Sequence, residues 1–261
     1  MLRPRIIPCL LIKDGGLVKT VRFDKGKYVG DPLNAVRIFN EKEVDELIVV
    51  DIDATAENRE PNLQLIGHLA TECRMPLCYG GGVRSVEMLE RIVQLGVEKV
   101  AFSAAAVQDP GLIGTAADRV GGQSVVVVMD VKKTGMLRRW EVFTHNGTRK
   151  TGLDPVVFAR QAEDMGAGEI VLNNIDQDGE MKGYDLDLIH AVRDAVHLPL
   201  TVLGGAGSLA DIEALIREIG LIGAAAGSLF VLKGVYRAVL INYPTRQDKD
   251  ALLARAGFGE L

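Results

Sequence analysis

At 261 residues, with 48% apolar and 25% charged side chains, the chain is long enough to bury a substantial core without disulfide or metal staples. A net charge of −5 argues against nucleic acid as a partner, while small anions stay open because local donors decide them. No apolar run approaches the ~20 residues of a membrane span, and a strand begins within about five residues of the start, which leaves no signal peptide and predicts a cytoplasmic protein.

Short β-branched runs alternate with longer amphipathic segments. The predicted strands are 5–11, 47–52, 75–80, 99–104, 124–130, 169–174, 199–204 and 221–226. Most are continuously apolar, as parallel strands covered on both faces are. Helical stretches such as LNAVRIFNEKEV (33–44) and SVEMLERIVQLG (85–96) lie between them. Asp31-Pro32, Asp109-Pro110 and Asp154-Pro155 each read as a capping side chain before a proline at the first helical position. Eight strand–helix units in one chain predict a (β/α)8 TIM barrel, a single α/β domain over 1–261. Cys9, Cys73 and Cys78 follow no metal spacing and read as reduced thiols, and no cofactor is expected. His68, His145, His190 and His197 fall on helices or loops and read as surface residues. Trp140 lies in a polar stretch, 136–152, expected to be a loop or small hairpin able to close over the barrel mouth.

The two halves repeat. ELIVVDIDA (46–54) matches EIVLNNIDQ (169–177), and MPLCYGGGVRS (75–85) matches LPLTVLGGAGS (198–208) at the same separation. A half-chain period means two similar half-barrels, about 1–122 and 123–240, followed by a tail at 241–261. The repeat also aligns VVVVMDVKKTG (125–135) with IIPCLLIKDGG (6–16), which sets Asp130 opposite Leu11.

In barrels of this kind the chemistry sits at the C-terminal strand ends. Asp130, at the tip of an apolar strand, is the best acid/base candidate, since a partly dry mouth raises a carboxyl toward neutrality. The alternative is an Asp that caps the following turn. Gly81 and Gly82 with Ser103, and Gly204 and Gly205 with Gly227 and Ser228, form two related phosphate candidates, because glycine lets backbone N–H groups approach an anion. Such glycines also simply make tight turns. Asp51 and Asp53, Asn173, and Asp176 and Asp178 are mouth residues suited either to substrate hydroxyls or to ordering loops. At the opposite end, Arg5, Glu46, Lys99 and Glu169 begin their strands and would form a salt-bridge ring that closes the barrel floor.

The motifs RIIPCL, GDP (30–32), DELIVVDIDA, GGGV, GVEKV, VVVVMDVK, GAGEI, IDQDG with KGYD, and GGAG together resemble the cyclase subunit of imidazole glycerol phosphate synthase, over roughly residues 3–230. The resemblance implies a two-fold barrel that receives ammonia from a glutaminase docked on its N-terminal face. It implies that Arg5, Glu46, Lys99 and Glu169 are the ammonia gate, all four matching the family. It also implies two catalytic aspartates, of which Asp130 matches one and Leu11 occupies the place of the other. The phosphate grip after strand 4 departs from the family at Ser103-Ala104, as do Leu203 on strand 7 and Asn173-Asn174 on strand 6. A missing general base is worth about 10²–10⁴-fold in rate, so a conserved floor and an altered mouth are the expectation. The stretches 140–155 and 238–250 are similar to HisF-like proteins associated with acetamidino modification of surface-polysaccharide sugars. That similarity implies ammonia delivery to a separate sugar amidotransferase, with a phosphorylated small molecule at the mouth as a further expected ligand. Histidine biosynthesis is the alternative.

Overall fold

Strands β1 (Arg5–Lys13), β2 (Leu47–Asp51), β3 (Leu77–Gly80), β4 (Lys99–Phe102), β5 (Val125–Thr134), β6 (Glu169–Asn174), β7 (Leu200–Leu203) and β8 (Gly223–Ala226) pair in parallel in chain order. β8 returns to β1 at the register Arg5↔Gly223 and closes the ring. This is a (β/α)8 barrel, described over residues 3–259 in the computed structural model. Its outer helices are α1 (Pro32–Glu41), α2 (Leu63–Glu72), α3 (Val86–Gln94), α4 (Gly111–Val120), α5 (Pro155–Asp164), α6 (Leu186–Arg193), α7 (Leu209–Ile219) and α8 (Arg246–Leu253).

The Asp-Pro signals hold at two of three places. Asp31 and Asp154 cap α1 and α5, each accepting backbone N–H groups of the first turn, with proline next. Asp109 does not cap in that way. It ends the short helix Ala104–Gln108, donating its own N–H to Ala105 O, so α4 begins at Gly111 with Pro110 in the cap position. The Asp109 side chain still accepts the Gly111 N–H at 3.0 Å. The 241–261 segment carries α8, whose Leu252 and Leu253 are buried. Lys249 on this helix is 5% exposed and pairs with Asp45 at 2.7 Å.

Two insertions at the C-terminal end were not resolved as strands by periodicity. A hairpin of Gly16–Val21 and Asp24–Gly30 follows β1, and β5 runs on into a second hairpin with Arg139–Thr144. The expected loop or hairpin at 136–152 is therefore the hairpin, extended by Arg149–Lys150. A third, short hairpin pairs Leu232–Lys233 with Ala238–Val239 after β8.

Alternate residues of each barrel strand face inward. They sort into levels along the axis. Arg5, Glu46, Lys99 and Glu169 lie at the N-terminal level. Ile7, Cys9, Ile48, Cys78, Ala101, Val126, Val171 and Ala225 form a buried apolar cluster above them, capped by partly buried Leu11, Val50, Val128 and Leu203. A separate, larger apolar core lies between the strands and the helices.

Candidate functional site

The floor is a closed ring of ion pairs. Arg5 bonds both Glu46 and Glu169, the latter at 2.7 Å; Lys99 bonds Glu46 at 2.8 Å and Glu169 at 2.7 Å. The two glutamates are nearly buried, with side chains 4% and 6% exposed, whereas Arg5 and Lys99 keep 27% and 19%. Burial works against the charged form of Lys99, but the Glu169 and Glu46 carboxylates outweigh it and hold the ammonium above its usual range. Burial likewise opposes charge on Glu169, and Arg5 and Lys99 overcome it and hold that carboxyl low. Thr201 joins the ring by donating to Glu169 at 2.5 Å. A Cβ on Gly223 would lie 1.9 Å from Thr201 Oγ1, so β8 needs glycine where it passes this hydroxyl. Sequence reasoning missed Thr201; the signal available was a hydroxyl two residues before the strand end, in phase with the inward face.

The floor is tied to α8. Asp45, next to Glu46, accepts the Ile6 N–H at 2.9 Å, and Tyr243 OH donates to Ile6 O at 2.8 Å. Lys249 completes this clamp through Asp45 and the Glu43 carbonyl.

At the other end Asp130 and Asn173 stand opposite each other in the β5–β6 ladder. Asn173 Nδ2 donates to Asp130 Oδ1 at 2.8 Å. Burial pushes the Asp130 carboxyl up to about 6, the Asn173 N–H works against that, and the Asp178 carboxylate adds to it. The position opposite, in the repeat, is filled by half-buried Leu11. Leu11 supplies no proton-transfer group, so the mouth holds one carboxyl of this kind rather than a pair.

The other mouth aspartates order loops. Asp51 accepts the N–H groups of Asp53 and Ala54 and pairs with Arg59 at 3.3 Å. Asp53 pairs with Lys13 at 2.9 Å and takes Asn146 Nδ2 at 3.1 Å. Asp176 accepts the Lys133 N–H at 3.0 Å. Asp178 takes Lys19 Nζ at 2.8 Å, Thr20 Oγ1 at 3.0 Å and the Phe23 N–H at 3.4 Å. Lys19, only 5% exposed, is the mouth residue that sequence reasoning overlooked. Its signal was a lysine two residues after Leu17, in phase with the buried face of a strand.

Among the glycine turns, backbone geometry already explains much. Gly81 and Gly204 have φ of 108° and 95°, and an added Cβ would lie 2.2 Å from Asp51 O and 2.6 Å from Asn174 O respectively. An added Cβ on Gly205 would meet Gly183 O at 2.0 Å. The Gly82 N–H is taken by Thr55 Oγ1. The turns after β4 and β8 differ: Ser103 makes no capping bond, and the buried Ser228 Oγ has no partner. The Lys19 stem lies 3.0 Å from where a Gly227 Cβ would be.

The hairpin after β5 reaches over this end. Asn146 contacts Asp53 after β2, and Gly147 lies against Ile175 after β6 and Phe23 of the first hairpin. Burial pushes the Cys9 thiol up to about 12 and the Cys78 thiol well above its ordinary value. Among the described residues, no group of three or more His, Cys, Asp and Glu is placed to hold a metal ion. No helix among them is long and apolar enough to cross a membrane.

Residues 5–236 match the family model described as histidine biosynthesis protein. The chain is 56% identical over 252 residues to a protein of Leptospira interrogans provisionally named imidazole glycerol phosphate synthase subunit HisF, covering 97% of this chain and 99% of that one. It is 53% identical over 250 residues to a similarly named HisF2 of Pseudomonas aeruginosa, covering 96% and 99%. The imidazole glycerol phosphate synthase subunit HisF of Hyphomonas neptunium is 44% identical over 230 residues, covering 88% and 90%.

Proposed function

The chain belongs to the histidine biosynthesis protein family, and we propose that it works there as the HisF-like barrel subunit of a glutamine-dependent amidotransferase system. It takes ammonia from a glutaminase docked on its N-terminal face and passes it through the barrel to a separate acceptor enzyme. The observation that carries this reading is the pairing of a closed charged ring at one end of an apolar barrel interior with Leu11 at the other. A neutral, water-sized molecule can cross such a bore without a desolvation cost that ions would meet. The acceptor chemistry we assign is amidination of an acetamido sugar, as in the polysaccharide-modifying HisF-like proteins that 140–155 and 238–250 resemble. The mouth holds two groups suited to a phosphorylated small molecule: Gly81, Gly82 and Ser103 after β3 and β4, and Gly204, Gly205, Gly227 and Ser228 after β7 and β8.

The test is reconstitution of the barrel with its glutaminase and acceptor enzyme. Lys99→Met should lower ammonia transfer relative to glutamine hydrolysis, with free ammonia released to solvent. If transfer and hydrolysis fall together, the barrel is an activator of the glutaminase and not a conduit. Histidine biosynthesis is tested separately: expression in a cyclase-deficient strain should leave it auxotrophic, because Leu11 removes one of the family's two catalytic aspartates. Restored prototrophy would overturn the assignment.

A further inference from the structure

Two of the hairpins at the C-terminal end turn in the same way. The one after β5 passes through Gly135, Met136, Leu137 and Arg138, and the one after β8 through Gly234, Val235, Tyr236 and Arg237. In each four-residue loop the arginine N–H donates to the glycine carbonyl, at 3.2 Å in the first and 3.0 Å in the second. The glycines have φ of 68° and 72° and both arginines 46°, a left-handed geometry uncommon outside glycine, asparagine and aspartate. The half-chain repeat aligns β5 with β1, so it does not account for a shared turn after β5 and β8. Each loop holds two apolar side chains out in water: Met136 is 99% exposed, Leu137 74%, Val235 96% and Tyr236 93%. Single exposed apolar residues are ordinary, but two such pairs on matching strained turns mark a contact surface.

The charge around these tips is one-sided. Residues 132–139 carry four cations and no carboxylate, and 233–239 carry two cations and no carboxylate, in a chain whose net charge is −5. Arg138 and Arg139 are exposed and make no ion pair among the described residues. Carboxylates of the adjoining strand and loop are committed elsewhere. Glu141 accepts the Thr134 hydroxyl and the Gly152 N–H, and Glu180 pairs with Arg22 and Lys182. Both hairpins are fixed to the loop after β6, so the tips flank that loop at one end of the barrel. Lys133 donates its N–H to Asp176 and pairs with Asp185 at 3.5 Å, while Arg237 Nη2 donates to Gly179 O at 2.8 Å.

We propose that the two hairpin tips form a membrane-contact surface, with Met136, Leu137, Val235 and Tyr236 entering an anionic lipid layer and the flanking Arg and Lys side chains meeting its phosphates. The chemistry matches at both depths. Aliphatic side chains and a tyrosine suit the boundary between headgroups and acyl chains, and cations beside them gain from the negative surface potential. The planar guanidinium groups match phosphate oxygens in paired hydrogen bonds. A protein partner fits less well. A stable protein interface takes about 800 Å² on each side, whereas the apolar groups here stand on separate loops, after strands three positions apart in the ring. A lipid layer yields around each tip and needs no continuous patch. Contact at this end leaves the opposite, N-terminal face free, and the surface does not depend on the conduit reading.

The experiment is flotation of the full-length protein with vesicles of phosphatidylcholine alone and of phosphatidylcholine mixed equally with phosphatidylglycerol. The protein should float with the anionic vesicles and stay behind with the neutral ones, and added sodium chloride should weaken the binding. Leu137→Ser combined with Tyr236→Ser should lower the partition constant about tenfold, because the inserted apolar area is lost. Arg138→Gln combined with Arg139→Gln should lower it by a similar factor and flatten its salt dependence. All four positions are solvent-exposed, so both variants should unfold at the temperature of the unaltered chain. Absence of flotation with the anionic vesicles overturns the proposal. So does flotation that the Leu137→Ser, Tyr236→Ser variant retains in full, since lipid would then be met elsewhere. If the unaltered chain ignores vesicles and that variant lowers ammonia transfer in the reconstituted system, the tips dock the acceptor enzyme and the membrane assignment falls. Failure of the Lys99 transfer test with flotation retained would sink the conduit and leave this surface standing.

Discussion

Asp130 has its carboxyl pushed up to about 6 by a buried position on β5, and this makes it a cost to folding at neutral pH. The sign follows from proton binding. Between the ordinary carboxyl range and about 6 the folded state holds more protons on this group than the unfolded chain, so its contribution to stability falls as pH rises through that window. Asp130→Asn should therefore gain stability relative to the native chain, on the order of 1–2 kcal/mol at pH 7.5 and nearly nothing at pH 4. Urea unfolding of both proteins at the two pH values checks this; an equal difference at both would show that burial is not what perturbs the group. Gly223 gives a prediction of opposite sign. Alanine there drives its methyl into Thr201 Oγ1, at 1.9 Å before relaxation. Gly223→Ala should cost at least about 2–3 kcal/mol through overpacking, measured by denaturant midpoint, and should loosen the Thr201–Glu169 bond.

The hairpin after β1 shows how one side chain holds an element. Its turn residues Arg22 and Phe23 have φ of 52° and 63°, the left-handed geometry of a tight two-residue hairpin, without glycine or asparagine to ease it. Asp178 compensates by accepting the Arg22 N–H through its carbonyl and the Phe23 N–H through its carboxylate, and by pairing the buried Lys19. Asp178→Ala should leave Lys19 without a counter-charge, which costs about 3–5 kcal/mol for a buried pair. Amide hydrogen exchange should then rise first in residues 16–30. Uniform loss of protection across the barrel would argue that Asp178 serves the whole core and not this hairpin. None of these pairings was visible in the sequence, because Asp178 and Lys19 are far apart in the chain and meet only once the barrel closes.

For the whole molecule, side-chain chemistry is sorted by level along the barrel axis. A ring of ion pairs forms the floor, apolar side chains with the Cys9 and Cys78 thiols fill the interior above it, and carboxylates return at the mouth. Enlarging a bore residue should obstruct passage without touching either end. Ala225→Val adds two methyl groups where the side chain is fully buried, at about 1–3 kcal/mol of overpacking. Reconstituted transfer should fall severalfold while glutamine hydrolysis continues and free ammonia appears in solution. Unchanged transfer would mean that ammonia does not travel along this axis.

The sequence by itself determined the eight-strand order, the half-chain repeat, the N-terminal charges and the contrast between Leu11 and Asp130. These are local or periodic properties, since inward-facing strand positions and capping residues leave marks at short range. Tertiary structure decided which reading of the polar mouth residues holds. Asp51, Asp53, Asp176 and Asp178 are occupied with backbone N–H groups and cations from other loops. Burial raises the proton affinity of Asp130, which stands beside an amide whose oxygen has no partner. Closure of the barrel brings β1 against β8, while β5 and β6 pair as consecutive strands. The closed ring sets Arg5 of β1 across from Glu169 of β6, and the β5–β6 register sets Asp130 beside Asn173, 43 residues on.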